Sequence, residues 1–377
     1  MSETYDAIVL GGGAWGSAAT QHLATRKRRV LCLDRFRPPH THGSTHGHSR
    51  LINSNAETSS HNLPLIKRSY ELWRELERAS GADLLHQVGY LFIGSPGSKR
   101  MERSLDSYGS EAVLHEVLSG SEIARRFPQF RLRPGEVGIF DPDAARLDPE
   151  ACVTAALEIA ARKGAVLRFD EPAVDWTAGE SKVEVVTDRG RYEADKMVIA
   201  LGAWTPQLSR LSLPLWVERQ VTVWYANNHE ALSGFSFPAE PPSTSIYGVP
   251  EAGGKIKVAL HHGGPPTDPD SVSPVTEADL EAVGRLIRER VPHLTELIAS
   301  ATCMYTNSPD FQYVVGPHPF HGRVAILAGG SGRGFHQAQV VGEYAADWVD
   351  GRARPDFDWL SMNRFADAEP SASEKRP

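Results

Sequence analysis

Apolar residues along this chain fall into short continuous runs set between glycine-rich turns and stretches of helical spacing. The first run, Tyr5-Asp-Ala-Ile-Val-Leu10, has the pattern of a buried strand, stops at a glycine cluster and restarts as an alanine-rich helix through Leu23. A second strand-like run, Arg29-Val-Leu-Cys-Leu33, ends at Asp34. Strand, tight turn, helix, strand and terminal acid thus fit within the ~30 residues of a βαβ unit.

After a loop rich in Pro, His, Gly and Ser, a helix is predicted from about Leu63 to Ser80, with Leu65, Leu72, Trp73 and Leu76 on one side and Gly81 as its stop. Segment 86–146 is mixed, with strand-like pieces. Asp148-Pro149-Glu150 starts another helix, carried by Val153, Ala156, Leu157 and Ala160 and ended by Gly164. Strands follow at Val166–Phe169, Val183–Thr187 and Arg191–Ala194, and then at Met197–Leu201, which runs into Gly202-Ala203-Trp204.

Region 216–262 is again strand-rich, and Thr276 to Arg290 is an amphipathic helix opened by Thr276-x-x-Asp279 and closed before Pro292. Val324–Leu327 leads into Ala328-Gly-Gly-Ser-Gly-Arg-Gly334 and a last helix carrying Val340, Val341, Tyr344 and Trp348. There is no internal repeat. The order predicts an α/β fold in which a Rossmann-like domain, built from 1–85, 147–215 and 305–368, is interleaved with an antiparallel-sheet α+β domain from 86–146 and 216–304. Residues 369–377, polar and proline-containing, read as a flexible tail.

Length supports two domains, since 377 residues exceed what one core usually organises. Composition narrows the partners. A net charge of −7 and only short basic clusters, such as Arg26-Lys27-Arg28-Arg29, speak against nucleic acid. Cys32, Cys152 and Cys303 are far apart and lack Cys-x-x-Cys spacing, so neither a disulfide framework nor a zinc ribbon is expected. The start of the chain lacks a secretory pattern, and no apolar stretch has membrane-spanning length, so a cytoplasmic protein is expected, as a monomer or small homo-oligomer.

Gly11-Gly12-Gly13-Ala14-Trp15-Gly16 satisfies G-x-G-x-x-G between strand and helix, with Asp34 placed 21 residues beyond Gly13. Gly11 allows the tight turn, Gly13 lets the backbone approach a pyrophosphate, and Gly16 allows close helix packing, while Asp34 accepts from a ribose hydroxyl. This turn serves FAD and NAD alike. FAD is favoured because Gly202-Ala203-Trp204 and the Gly329–Gly334 turn, far along the chain, suit a long extended cofactor. A helix N-terminus bared by glycines is also a natural place for the negative charge of a reduced flavin.

With these residues in view, the chain resembles the monomeric sarcosine oxidase family, within the wider D-amino-acid-oxidase-like flavoproteins of GR2/DAO type. The likeness rests on the opening unit with Asp34, the loop Pro38–Arg50, Gly202-Ala203-Trp204, Tyr247-Gly248, Lys257 with His261, Ala301–Thr306 and Gly332-Arg333-Gly334-Phe335. It implies FAD held through Gly11, Gly13, Ala14, Trp15, Gly16, Asp34, Val174, Gly202, Trp204, Gly332, Gly334, Phe335 and His336. Ser44, His46, Ser49 and Arg50 would lie against the flavin, with a thioether from Cys303 to its 8α carbon.

The same resemblance makes Lys257 the oxygen-activating lysine, His261 an active-site histidine, and Tyr247 and Tyr305 substrate-pocket residues. The expected reaction oxidises the C–N bond of a neutral amine bound over the flavin to an imine, while O2 becomes hydrogen peroxide. No metal is expected: His40, His42, His46 and His48 have no accompanying acids or cysteines at ligand spacing.

Two positions depart from the family pattern. Members acting on N-methyl amino acids hold the substrate carboxylate with a basic residue three places after the loop arginine and a lysine after the C-terminal Gly-Phe. Here those places are Asn53 and His336, and the whole stretch Asn53-Ser-Asn-Ala-Glu57 is rewritten. Asparagine cannot make a charged clamp, and histidine does so only when protonated. A larger or less acidic amine than sarcosine is therefore expected, with His336 or Arg333 at its polar group. A nicotinamide-linked dehydrogenase or hydroxylase, and a flavin-holding protein without catalysis, are the other readings.

Overall fold

Thr4–Leu10, a strand without a single exposed residue, is the centre on which the first layer is built. In the computed structural model, which describes residues 4–55, 61–109, 113–211, 213–227, 233–239 and 244–365, it pairs in parallel with Val30–Leu33 on one side and Arg191–Ile199 on the other. Val166–Arg168 extends the sheet beyond Val30–Leu33, and Val183–Thr187 and Ala173–Ala178 extend it antiparallel at the opposite edge. His321–Ala328 joins Arg191–Ile199 in parallel and carries Val314–His318. The tail 369–377 and residues Ala56 and Glu57 lie outside the described residues.

Arg191–Ala194 and Met197–Leu201, expected as separate strands, are one strand, Arg191–Ile199. Backbone partners explain the merger: its first residues pair with Val183–Val186 while Glu193 to Ile199 run beside the opening strand, so the ladder crosses the polar Asp195-Lys196 step unbroken. Leu201 instead precedes the short 3-10 turn Gly202–Trp204.

Four helices cover one face of this layer. Ala14–Thr25, Asn62–Ser80, Pro149–Arg162 and Ala338–Val349 bury Ala19, Leu23, Leu72, Trp73, Ala156 and Val341 against Val9 and Val198. Burial of this kind contributes about 25 cal/mol per Å² of apolar surface, so the core rather than helix propensity holds the layer. The basic cluster after the first helix serves the same docking. Arg26 Nη1 lies 2.8 Å from Asp347 and 3.0 Å from Asp350, and Arg28 Nη2 lies 2.7 Å from Asp350, so the first and last helices are tied at one end.

A second sheet of eight strands runs in the order Leu297–Asn307, Trp216–Ala226, Lys255–His261, Ser245–Glu251, Gly234–Pro238, Tyr90–Gly94, Val137–Asp141 and Glu116–Leu118. All its pairings are antiparallel except the parallel contact of Gly234–Pro238 with Tyr90–Gly94. Helix Glu277–Arg290 packs Val283 and Ile287 onto its core with Val223, Ile256 and Val258. The Thr276/Asp279 capping box is formed, and Asp279 also takes the Arg219 guanidinium at 2.7 Å.

Three expected boundaries fall inside structure. Leu297–Asn307 crosses the boundary at 304/305 in one strand, and the three-stranded sheet of Arg50–Ile52, Ala145–Leu147 and Leu85–Gln87 spans those at 85/86 and 146/147. Local pattern gives a strand's existence; its partners decide which layer it joins. Among the described residues no helix is long and apolar enough to cross a membrane.

Candidate active site

Two cavities meet between the sheets. The larger, of about 280 Å³, begins at the turn after the opening strand and ends among Cys303, Arg50 and the Gly329–Gly334 turn. The first turn is made by close approach: a Cβ on Gly16 would sit 1.7 Å from the Gly11 carbonyl oxygen, so only glycine lets the helix start against the strand. The Asp34 carboxylate, 8% exposed, accepts Gly12 N–H at 2.7 Å and Phe36 N–H at 2.8 Å, and it lines the cavity. Burial raises its pKa, and the two backbone donors oppose that.

Trp15, on the first turn of the helix, donates from Nε1 to the Gly334 carbonyl at 2.6 Å and meets the Tyr313 ring edge-on at 5.3 Å. Trp73 Nε1 donates to the His336 carbonyl at 2.8 Å, and its ring stacks on Phe335 at 5.6 Å. The late turn is thereby held by two indoles from the first domain layer. A Cβ on Gly332, whose φ is +74°, would lie 2.6 Å from the Tyr305 ring and 2.8 Å from His261.

Opposite this turn, charged groups grip the 44–50 loop through its backbone. Arg50 donates to the carbonyls of Ser44 at 2.7 Å, His46 at 2.6 Å and Ser49 at 2.7 Å. Lys257 Nζ donates to Gly47 O at 3.1 Å and to Ser49 O. Glu150 Oε1 accepts the amides of Gly47 at 2.8 Å and His48 at 3.2 Å, and Glu251 accepts Ser49 Oγ at 2.6 Å and Trp224 Nε1 at 3.1 Å. Lys257 is 1% exposed. Burial, reinforced by Arg50, holds its pKa well below the usual lysine range, and burial with Arg50 lowers His46 to about 4.

The smaller cavity, of about 140 Å³, is lined by Lys257, His261, His336, Asn53, Asn55, Arg100 and Arg333 among others. Arg50, Tyr247, Tyr305, Gly332 and Phe335 line both cavities and form their common wall. His261 Nδ1 lies 3.2 Å from Tyr305 Oη, and the Tyr247 ring stands edge-on to His261 at 6.1 Å. Burial keeps His261 well below the usual histidine range and both tyrosines above theirs. His336 is lowered by burial to about 4.

The sequence signature described as "DAO: FAD dependent oxidoreductase" matches residues 6–348. The chain belongs to this family. This oxidoreductase is 37% identical over 362 residues to the monomeric sarcosine oxidase of Streptomyces avermitilis, covering 92% of this chain and 94% of that protein. It is 32% identical to the human peroxisomal sarcosine oxidase, covering 91% of each. Its fold matches NikD, an unusual amino acid oxidase essential for nikkomycin biosynthesis, in the open form: TM-score 0.86, 25% identity, 96% of this chain and 98% of that one.

The residues fit FAD in this oxidoreductase. Gly11, Gly13, Ala14, Trp15, Asp34, Ser44, His46, Arg50, Gly202, Trp204, Cys303, Gly332, Gly334 and Phe335 all line the larger cavity, from the phosphate-type turn to the sulfur of Cys303. Cys303 is buried, its thiol 3.8 Å from the Met304 carbonyl.

Four assigned cofactor contacts sit elsewhere. Gly16 lies beneath the turn. Ser49 is fully buried, with its hydroxyl on Glu251. His336 lines the smaller cavity, and Val174 is 55% exposed, the wall beside it being Pro172 and Ala173. The ladder skips Val174, with Ala173 opposite Thr187 and Asp175 opposite Val186, so the extra residue turns outward, a fact its sequence neighbours do not reveal.

The histidine-rich loop is dispersed. His40 Nε2 is 3.9 Å from Asp34, His42 stacks on Phe36 at 4.1 Å, His46 faces the larger cavity, and His48 packs on Trp224. Sequence reasoning missed Glu251, Trp224, Tyr90 and Arg100. Glu150 carried a signal only as a helix start, whereas its carboxylate braces the loop.

Proposed function

We propose that this oxidoreductase is an oxidase of amines, taking the C–N bond of a secondary amine or amino-acid-like substrate to an imine with O2 reduced to hydrogen peroxide. The observation that carries it is the shared wall: a polar pocket and a cofactor-length cavity touch only through Arg50, Tyr247, Tyr305, Gly332 and Phe335, with Lys257 buried beside them. Bound FAD supplies the chemistry by accepting a hydride equivalent from the substrate and passing electrons to O2. Tyr247, Tyr305 and neutral His261 orient the amine against that wall. Arg50 keeps positive charge there, which favours an unprotonated amine and anionic reduced states.

Lys257 is the oxygen-activating group in this reading, because it is a buried lysine that lines the pocket and has no carboxylate bonded to it among the described residues. Cys303 would hold the flavin through a thioether to its 8α carbon, the thiol proton and one methyl proton being lost and the two electrons passing to O2. Its support is position alone: it is the thiol that lines the larger cavity. Asn53 and His336, the latter neutral above about pH 4, favour a substrate other than sarcosine.

One experiment tests all of this. Purified protein is acid-precipitated and its visible spectrum recorded, and native protein is mixed with a panel of secondary amines under air and under nitrogen. Yellow colour retained on the pellet supports the thioether. Bleaching under nitrogen with rapid recovery and peroxide in air supports an oxidase. Bleaching without recovery in air indicates a dehydrogenase, and no bleaching by any amine removes the proposal.

A further inference from the structure

The smaller cavity has an imbalance of charge that the reaction itself does not require. Among its described lining residues none is acidic, while Arg50, Arg100, Lys257 and Arg333 bring four basic side chains. Arg50 and Lys257 are committed to loop carbonyls. Arg100, at the start of helix Lys99–Gly109, lies over the Phe92 ring at 5.0 Å.

Arg333 is different. Its Nη1 is buried without a partner, and among the described residues no hydrogen bond or ion pair reaches its guanidinium. A buried donor left without a partner costs free energy, and a guanidinium is relieved best by a planar anion that takes two of its donors.

Its backbone is held far more firmly than its side chain. Arg333 N donates to Gly330 O at 2.8 Å, Tyr313 Oη donates to Arg333 O at 3.0 Å, and the flanking Gly332 and Gly334 are in contact range of Tyr305 and Trp15. A fixed backbone with an unsatisfied charged tip aimed into a pocket is a preorganised anchor. The two neighbouring positions cannot do this work: Asn53 is uncharged, and burial keeps His336 neutral near pH 7.

We propose that Arg333 anchors an anionic group of the substrate, so that the pocket selects amines carrying a carboxylate. The assignment deepens the amine-oxidase reading and rests on it for the identity of the pocket. It moves the anion-binding charge from the places used in the family pattern, here Asn53 and His336, to the turn between Gly332 and Gly334.

The test is a spectral titration of the flavin-loaded enzyme with butyrate, a redox-inert carboxylate, and with butyramide, its uncharged counterpart. The native enzyme is expected to give a saturable flavin perturbation with butyrate at least tenfold tighter than with butyramide. Arg333→Gln should weaken butyrate at least tenfold, Arg333→Lys by less, and His336→Gln by under twofold, each with an unchanged flavin spectrum before titration as the check on folding.

Equal binding of the two probes by native enzyme overturns the anchor, as does undiminished butyrate affinity in Arg333→Gln or a larger loss in His336→Gln. If butyrate binding depends on Arg333 but no amine bleaches the native enzyme under nitrogen, the anion anchor stands and the reaction assignment fails. The reverse pattern keeps the reaction and removes the anchor.

Discussion

Trp15 Nε1 donates to the carbonyl of Gly334 at 2.6 Å across 319 residues of chain, joining the turn that starts the first helix to the turn that precedes the last one. Both turns line the larger cavity, so this bond sets the separation between its two glycine-built walls. Trp15→Phe keeps most of the ring but leaves the Gly334 carbonyl unpaired. A loss of about 1–3 kcal/mol in unfolding free energy is expected, with weaker retention of FAD, measured by urea denaturation and by gel filtration of the coloured protein. Unchanged stability would mean that the bond is dispensable.

Gly332→Ala tests the opposite side of the same turn. Its positive φ and the 2.6 Å approach of a Cβ to Tyr305 leave no relaxed position for the methyl group. Backbone strain alone costs of order 1–3 kcal/mol, and displacement of Tyr305 and His261 should lower kcat/KM for amine oxidation at least tenfold. Steady-state kinetics beside a crystal structure of the variant would decide this, and native turnover would refute the rigid-wall account.

Lys257→Met removes the ammonium while keeping the stem. Flavin bleaching by amine under nitrogen should stay within a few-fold of native, whereas recovery in air should slow at least a hundredfold, in the range seen when a charge-stabilising group is deleted. Burial and Arg50 lower the Lys257 pKa, so its proton is lost at a pH below the ordinary lysine range. Recovery in the native enzyme should therefore slow as pH rises, with onset below pH 10.5. Stopped-flow mixing with oxygenated buffer across pH 6–10 gives both answers, and equal slowing of both half-reactions would remove Lys257 from oxygen chemistry.

Stability should fall on mild acidification. Burial lowers His22, His46 and His336 to about 4 each, whereas the same groups in the unfolded chain titrate at the ordinary histidine value of 6.5. Between pH 6.5 and 4 the unfolded state binds more protons than the native state, so folding weakens as pH falls, by at most about 1.4 kcal/mol per pH unit for each histidine. Thermal melts from pH 7.5 to 4.5 should show this slope, and replacing His22 by Gln should reduce it. A flat profile over that window would contradict the burial of these groups.

The first cofactor turn was legible because all of its parts lie within one βαβ unit: strand, three glycines, helix and Asp34 are near neighbours in sequence. The helix around Trp73 and the Thr276/Asp279 cap were legible for the same reason, since spacing and capping are local. The bracing of the 44–50 loop was not. Glu150, Glu251, Trp224 and Lys257 reach it from separate elements, and no local pattern marks a carboxylate that accepts an amide a hundred or more residues away.

Sequence by itself determined the alternation of strands and helices, the glycine turns and the identity of the chemical groups, because these follow from nearest-neighbour sterics and from hydrophobic period. Only the tertiary structure decided which groups share a wall. Val174 turned outward, Ser49 turned to Glu251, Arg191–Ile199 became one strand, and Nη1 of Arg333 was left without a partner among the described residues, in a pocket with other basic side chains. Each outcome depends on strand register and on burial summed over distant segments, and these quantities exist only once the chain has closed on itself.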